Sequence, residues 1–271
     1  MISTSDMLSD RRKYLARMVG SVQSFVNRNP DAAVTLFVLL QRCDGEKLAA
    51  ARAALPAWVR LDAIADRVSL SKARNMLIGK AVQALAEDDI LCFPDDDCWY
   101  PAGTLETVRA AFAGEGDLDF WFCRYGAEPV SAAAFPARCP SLQDTISRAS
   151  SNTIFVRGRI ARGIGGFDEH LGVGATLMGG EDTDYAIRAH YAARNRRFVD
   201  APVVGHRDPD LKFRTAYYPG SLKAIARHGL RSAAGFAAAS RKVAVGAWYV
   251  LSGRMPFRHY LGALRAAMQT G

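Results

Sequence analysis

The chain has 271 residues, 49% hydrophobic and 23% charged, with a mean hydropathy near zero. That composition excludes a disordered chain, a collagen-like repeat and a small disulfide scaffold, and the length suits one large domain or a domain with an appendage. The formal net charge of +8, taken whole, points to an anionic partner such as nucleic acid, a nucleotide or a lipid surface.

The predicted elements alternate. Met1–Thr4 reads as a strand stub. Helical spacing of Leu15, Met18, Val19, Val22, Phe25 and Val26 predicts a helix over Ser9–Asn27, which Asn29-Pro30-Asp31 ends. Val34–Leu40 is a wholly apolar run of strand length, the kind buried on both faces of a parallel sheet. A helix over Glu46–Leu55, a strand over Trp58–Ile64, a helix over Ser71–Leu85 and a strand over Ile90–Phe93 follow. Then come a helix over Thr104–Phe112 and a strand over Phe120–Cys123. Residues 126–150 read as loop, and Thr153–Val156 as strand. A glycine-rich loop spans Gly163–Gly180, a helix opens at Glu181 and runs to Arg194, and a last strand covers Phe198–Val204. Strands alternating with helices predict an α/β fold.

Charge divides along the chain. Residues 1–206 carry 24 Lys/Arg against 25 Asp/Glu, whereas residues 207–271 carry 11 against two, Asp208 and Asp210. A near-neutral body precedes a basic tail of two or three helices. The five cysteines, Cys43, Cys92, Cys98, Cys123 and Cys139, are odd in number and lack CxxC spacing, so they read as buried, reduced thiols. No signal pattern opens the chain, and no run reaches the roughly 20 apolar residues of a membrane span. The nearest, Ala233–Leu251, is interrupted by Arg241-Lys242. These features predict a cytoplasmic protein.

Four clusters could carry chemistry. Asp95-Asp96-Asp97 directly follows the strand ILCF and Pro94. Adjacent carboxylates repel unless a cation or solvent offsets them, and a strand end in an α/β sheet is a ligand position; hard oxygens there suit Mg²⁺ or Mn²⁺, and a solvated turn is the plain alternative. Glu181-Asp182, with Asp184, opens a helix after the glycine-rich loop. Such acids cap helices, and one poised by burial can also serve as a general base. Arg74, in SKARN, can pair with a phosphate or stack on a base. His206, at the end of a strand, can be an imidazole ligand if it approaches the acidic triplet.

The order of these clusters resembles family 2 glycosyltransferases of the GT-A type, in the bacterial branch that builds polysaccharides. The strings that carry it are ARNMLIGKA…ILCFPDDDCWYPAGTLE, GIGGFDEHLGVG…GGEDTDYAIRA and VVGH. The resemblance runs from Met1 to His206. It implies a Rossmann-like, mostly parallel GT-A sheet over 1–210, followed by a basic helical appendage over 211–271. It implies a nucleotide-diphosphate sugar donor (UDP first, dTDP or GDP as alternatives) with Mn²⁺ or Mg²⁺. Asp95 and Asp96 would sit near ribose and sugar, Asp97 and His206 would ligate the metal with Asp95 beside them, and Arg74 would contact the nucleotide. Asp182, with Glu181 next to it, would deprotonate an acceptor hydroxyl, and inversion would follow. Gly179 and Gly180 would let the backbone approach the sugar.

The chain departs from that pattern twice. Its first strand is short, leaving Thr4 as the nucleotide contact, and Gln41 stands where relatives carry a base-recognising acid. The tail, where Tyr217-Tyr218-Pro219-Gly220 precedes Lys223, Arg227 and Arg231, resembles the C-terminal helices of bacterial polysaccharide glycosyltransferases. Its cations interleaved with Trp, Tyr and Phe suit an anionic membrane surface, or a bundle packed on the body. The expected acceptor is a glycan or lipid-linked hydroxyl at the inner face of the cell membrane, with no nucleic acid partner. A metal-dependent phosphotransferase or nuclease, and a non-catalytic membrane-associated scaffold, are the other classes these features admit.

Overall fold

The computed structural model describes residues 1–7, 11–207 and 214–269. Three strands, β1 (Ile2–Asp6), β2 (Leu36–Gln41) and β3 (Val59–Ile64), form a parallel sheet in that order. The helices α1 (Arg12–Arg28), α2 (Gly45–Ala54) and α3 (Leu70–Ala81) connect or follow them. The predicted helix start at Ser9 lies outside the described residues.

A second sheet comprises β4 (Ile90–Cys92), β5 (Leu118–Gly126), β6 (Ala137–Arg138), β7 (Ile154–Arg157) and β8 (Asn195–Gly205), in the order β4-β7-β5-β8-β6. Here β5 and β8 are parallel, while β7 and β6 run antiparallel to their neighbours. The helices of this half are α4 (Thr104–Gly114), α5 (Leu142–Arg148), α6 (Gly158–Ile164) and α7 (Glu181–Ala192).

Alternation along the strands builds two cores. Val38, Trp121, Cys123 and Val203 face one side, where α1 brings Leu15, Met18 and Val22 and α4 brings Val108 and Phe112. Leu39, Phe120, Phe122 and Val156 face the other, against Leu77 of α3, Ala161 of α6 and Tyr185 and Ala186 of α7. Side chains alternate across a strand, so each run of apolar residues serves both faces at once. The result is a helix–sheet–helix sandwich, the α/β arrangement that the sequence predicts.

Some predicted boundaries shift. The Ser71–Leu85 helix ends at Ala81, because Ala84 and Leu85 turn back to donate to the carbonyls of Ala81 and Val82. The 126–150 segment is not all loop: it holds β6 and α5. A capping box opens α5, with Ser141 Oγ accepting from Asp144 N and Asp144 accepting from Ser141 N. Its signature, Ser-x-x-acid at Ser141-Leu142-Gln143-Asp144, is present in the sequence. The first residues of the glycine-rich stretch belong to α6, a helix the sequence reading omits. Four cysteines are buried, but Cys139 is exposed just before α5.

Three tail helices follow: α8 (Tyr218–Arg227), α9 (Ala233–Leu251) and α10 (Phe257–Met268). They pack on the body, with Ile225 of α8 and Ala238 of α9 buried against Leu142 of α5 and Ile187 of α7. The expected boundary at 210/211 lies outside the described residues.

One buried polar pair joins α5 to α7. Thr145 Oγ1 lies 2.8 Å from Nδ1 of His190, and burial, with a smaller contribution from Arg196, lowers the His190 pKa to about 4. A histidine held below its unfolded value of about 6.5 makes the unfolded chain bind more protons between those two limits, so its stabilisation is whole above about 6.5 and fades as pH falls towards 4. Between pH 7.5 and pH 5 the chain should therefore lose about 2 kcal/mol more unfolding free energy than a His190→Gln variant. Urea titrations of both proteins at the two pH values measure the difference, and parallel losses would refute it.

Candidate functional site

The carboxyl ends of the strands and the start of α7 converge on one cavity of about 530 Å³. Thr4, Gln41, Arg74, Asp95, Asp96, Asp97, Gly179, Gly180, Glu181, Asp182 and His206 all line it. These are the residues the sequence singled out, drawn from β1, β2, α3, the turn after β4, the start of α7 and the end of β8.

A ladder between two chain ends places the acidic triplet. Trp99 and Gly205 exchange backbone hydrogen bonds of 2.9 and 2.8 Å, which stitches the turn after β4 to the end of β8. A Cβ on Gly205 would lie 2.0 Å from the Trp99 ring, so this contact demands glycine. Arg17 stacks on the same ring at 3.7 Å and donates to the Asp97 carbonyl at 2.9 Å. His206 is thereby brought against the triplet, with Nε2 3.0 Å from Asp97 and 3.9 Å from Asp95. Ligand atoms of Asp95, Asp97 and His206 all lie within 4.8 Å of one another.

The electrostatics of this cluster pull in both directions. Burial raises Asp95 to about 6, helped by the charges of Asp182 and Asp97 and opposed by Arg74 and His206. Burial also acts on Asp97, but the His206 hydrogen bond and the charges of His206, Arg11 and Arg207 outweigh it and hold the carboxyl at about 2. His206 is raised: burial opposes its charge, and Asp97 and Asp95 overcome that opposition. Two carboxylates and an imidazole form an oxygen-rich set with one nitrogen, which fits Mn²⁺ or Mg²⁺. A divalent cation there would favour the ionised form of Asp95, which burial first, and then the charges of Asp182 and Asp97, disfavour.

Two of these residues already have protein partners. Asp96 reaches the cavity, but Arg11 engages both of its oxygens, through Nε at 2.7 Å and through Nη2, and Ser5 Oγ donates at 2.5 Å. Its carboxylate thus accepts three hydrogen bonds from the protein itself. Arg74 is only 2% exposed, and its guanidinium donates to Asp95 at 2.8 Å, Asp182 at 3.1 Å and Ser151 at 2.7 Å. Burial disfavours its charge, yet Asp182, Asp95 and Glu181 hold its pKa above the ordinary value. Arg74 bridges the two acidic clusters.

Asp182 is held from three sides. Oδ1 accepts from Arg74, while Oδ2 accepts from Ser151 N at 3.0 Å and Ser150 Oγ at 3.1 Å. Its side chain keeps 24% exposure. Glu181 is more deeply buried, and burial together with the Asp182 charge raises its pKa. The glycines before them serve the packing of the tail. Gly179 and Gly180 have φ of +78° and +88°; a Cβ on Gly179 would meet Tyr217 at 2.9 Å, and one on Gly180 would meet the Gly220 carbonyl at 2.3 Å. The start of α8 approaches both glycines closely.

At the other end, Gln41 Oε1 accepts from Val68 N at 2.8 Å, which orients the amide group. Asp6 and Arg67 flank it in the cavity wall. Sequence reasoning did not single out Arg11, Ser5, Ser150 and Ser151 at this site, and no motif marks them. Tyr217 and Ser221 also line the cavity, although the sequence assigned their segment to the tail.

No protein-family model matches the sequence, and no curated protein matches it. Solved structures do. Residues 1–349 of S. aureus TarS align with a TM-score of 0.59 and 17% identity, over 85% of this chain and 65% of that one. The same TarS segment in complex with UDP gives 0.57 and 17%, over 85% and 66%. The chain has a GT-A fold. It spans less than two-thirds of those TarS chains, and 39% of a longer TarS structure with a TM-score of 0.58.

Proposed function

We propose that the chain is a metal-dependent, inverting glycosyltransferase of the family 2 type. It moves a hexosyl group from a nucleotide-diphosphate sugar to a hydroxyl of a glycan or lipid-linked acceptor. The observation that carries this reading is a group able to hold a cation, Asp95, Asp97 and His206, and a second carboxylate, Asp182, tied to it through Arg74 on one cavity. Asp95, Asp97 and His206 would hold Mn²⁺ or Mg²⁺, and the bound ion would supply Lewis-acid neutralisation of the leaving diphosphate. Asp182 accepts the proton of the acceptor hydroxyl as that oxygen attacks the anomeric carbon, and direct displacement inverts the centre. Arg74 fixes Asp182 relative to Asp95. Gln41, its carbonyl taken by Val68, offers amide hydrogens to a base carbonyl. The TarS complex with UDP supports UDP as the first donor base to test, ahead of dTDP and GDP.

The test is a thermal-shift screen of UDP-, dTDP- and GDP-sugars with and without Mn²⁺. At a hundred-fold excess over Kd a true donor contributes about 2.7 kcal/mol, a rise of roughly 5–10 °C for a chain of this size. In Asp97→Asn the Mn²⁺-dependent part of the rise should vanish. If no nucleotide sugar raises the Tm with either cation, this function is wrong.

A further inference from the structure

The helix α9 sets Tyr249 and Val250 against its neighbours but leaves several other large apolar residues outside. Its buried positions are the small residues Gly235, Ala238 and Gly246, and a Cβ on Gly246 would lie 2.0 Å from the Tyr218 hydroxyl. Lys242 sits half-buried over the Tyr218 ring, at 5.2 Å from its centroid. Outward point Phe236, Val243, Trp248 and Leu251, with exposures of 62, 36, 59 and 83%. At 100° per residue these four fall within one half of the helix circumference, interrupted mainly by Ser240 and Arg241. A helix on the surface of a globular body normally presents polar residues to water.

The patch continues beyond α9. Leu230 is exposed just before the helix and Phe257 at the start of α10. Seven of the twelve exposed large hydrophobics among the described residues lie in this tail, so the exposure is concentrated, as at an interaction surface. Arg231, Arg241, Arg254, Arg258 and Arg265 are exposed on the same tail segments, and residues 214–269 contain no Asp or Glu.

We infer that the outward face of α9, with Leu230 and Phe257, lies in the plane of an anionic bilayer. Phe236, Trp248 and Leu251 would enter the boundary between head groups and acyl chains, and the arginines would meet anionic head groups. Among the described residues no helix is long and apolar enough to cross a membrane, so α9 rests on the surface rather than spanning it. Charge argues against a second copy as the occupant. A twofold contact through this face would bring the cationic rims together with no tail acid between them.

The same helices carry the surface to the cavity. Tyr218 Oη donates to the Lys242 carbonyl of α9 at 3.0 Å, and Tyr217 and Ser221, one before and one within α8, line the cavity. A bilayer holding α9 therefore holds one wall of the cavity at a fixed place, which suits an acceptor anchored in that bilayer.

Co-sedimentation with vesicles tests the inference without donor or acceptor, so its outcome is independent of the catalytic reading. The chain should bind vesicles of phosphatidylglycerol and phosphatidylcholine far better than phosphatidylcholine alone, and high salt should weaken the binding. Joint substitution Arg241→Gln, Arg254→Gln and Arg258→Gln should lower the partition coefficient about a hundred-fold. Joint substitution Phe236→Ser, Trp248→Ser and Leu251→Ser should abolish binding while thermal unfolding stays cooperative. The blue shift of tryptophan emission on vesicles should be lost in Trp248→Phe, whose surface stays apolar. Equal vesicle binding by the triple-serine variant overturns the inference. So does a wild-type chain that ignores vesicles, including one that forms a dimer abolished by the triple-serine change.

Discussion

Asp182→Asn should lower turnover by about 10²–10⁴-fold while leaving the Kd for the nucleotide sugar unchanged. The asparagine keeps the shape of the side chain and removes its basicity. Its oxygen can still accept from Arg74 as Asp182 Oδ1 does now at 3.1 Å. Its amide nitrogen then faces the Ser151 N–H that Oδ2 accepts at 3.0 Å, a local mismatch that costs about 1–3 kcal/mol of stability. Stability and turnover are thus predicted separately, and kcat with donor Kd distinguishes a lost base from a disturbed pocket. Glu181→Gln is the control beside it. Burial and the neighbouring Asp182 charge favour the protonated form of Glu181, and glutamine resembles that form. Turnover in Glu181→Gln should stay within several-fold of the parent chain. If Glu181→Gln is the more damaging change, the base is Glu181 and the assignment to Asp182 fails.

The sequence displayed the parts of this site whose chemistry depends on neighbours in the chain. The apolar run at Val34–Leu40 announces a buried strand, and the triplet after Pro94 and the Glu181-Asp182 pair announce acids at element ends. What long-range pairing decides was not legible. Asp96 looks equivalent to Asp95 and Asp97 until Arg11, 85 positions away, closes on it. Arg74 reads as a free cation until burial places it between acids 21 and 108 positions away. Gly179 and Gly180 announce tight backbone but not which group needs the room, and the occupant is α8. The tail shows the same limit. Its cations and aromatics stand out in the sequence, and the charge alone suggested a basic face. Which side of α9 meets water is set by Gly235, Ala238 and Gly246, whose smallness lets the body approach that side and leaves Phe236, Trp248 and Leu251 outside, while Tyr249 and Val250 pack inward.

Asp184→Ala should cost about 3–5 kcal/mol, because it deletes one member of a buried ionic network. Asp184 is 1% exposed. Its Oδ2 accepts from Arg188 Nε at 2.8 Å, and Oδ1 lies 2.9 Å from His228 Nε2 and 3.4 Å from Arg227 Nη1. Arg227 also donates to Asp168 at 2.5 Å, so the guanidinium at the end of α8 joins α7, through Asp184, to the glycine-rich loop, through Asp168. Burial works against its ionisation, but His228 and Arg188 hold its pKa below the ordinary value. That sign means its stabilisation is present above the unfolded carboxyl value of about 3.9 and is lost as pH falls below it. Removing the carboxylate leaves Arg188, Arg227 and His228 without their shared acceptor, and the thermal midpoint should fall by roughly 6–20 °C. The cost should be paired across the network rather than local. In a double-mutant cycle of Asp184→Asn with His228→Gln, a coupling of about 0.5–3 kcal/mol is expected for partners in direct contact. Additivity within about 0.3 kcal/mol would mean that His228 does not tie the tail to Asp184. Coupling at the expected level would make Asp184 the point where the helix that carries Glu181 and Asp182 feels the position of α8, and through Tyr217 and Ser221 the width of the cavity.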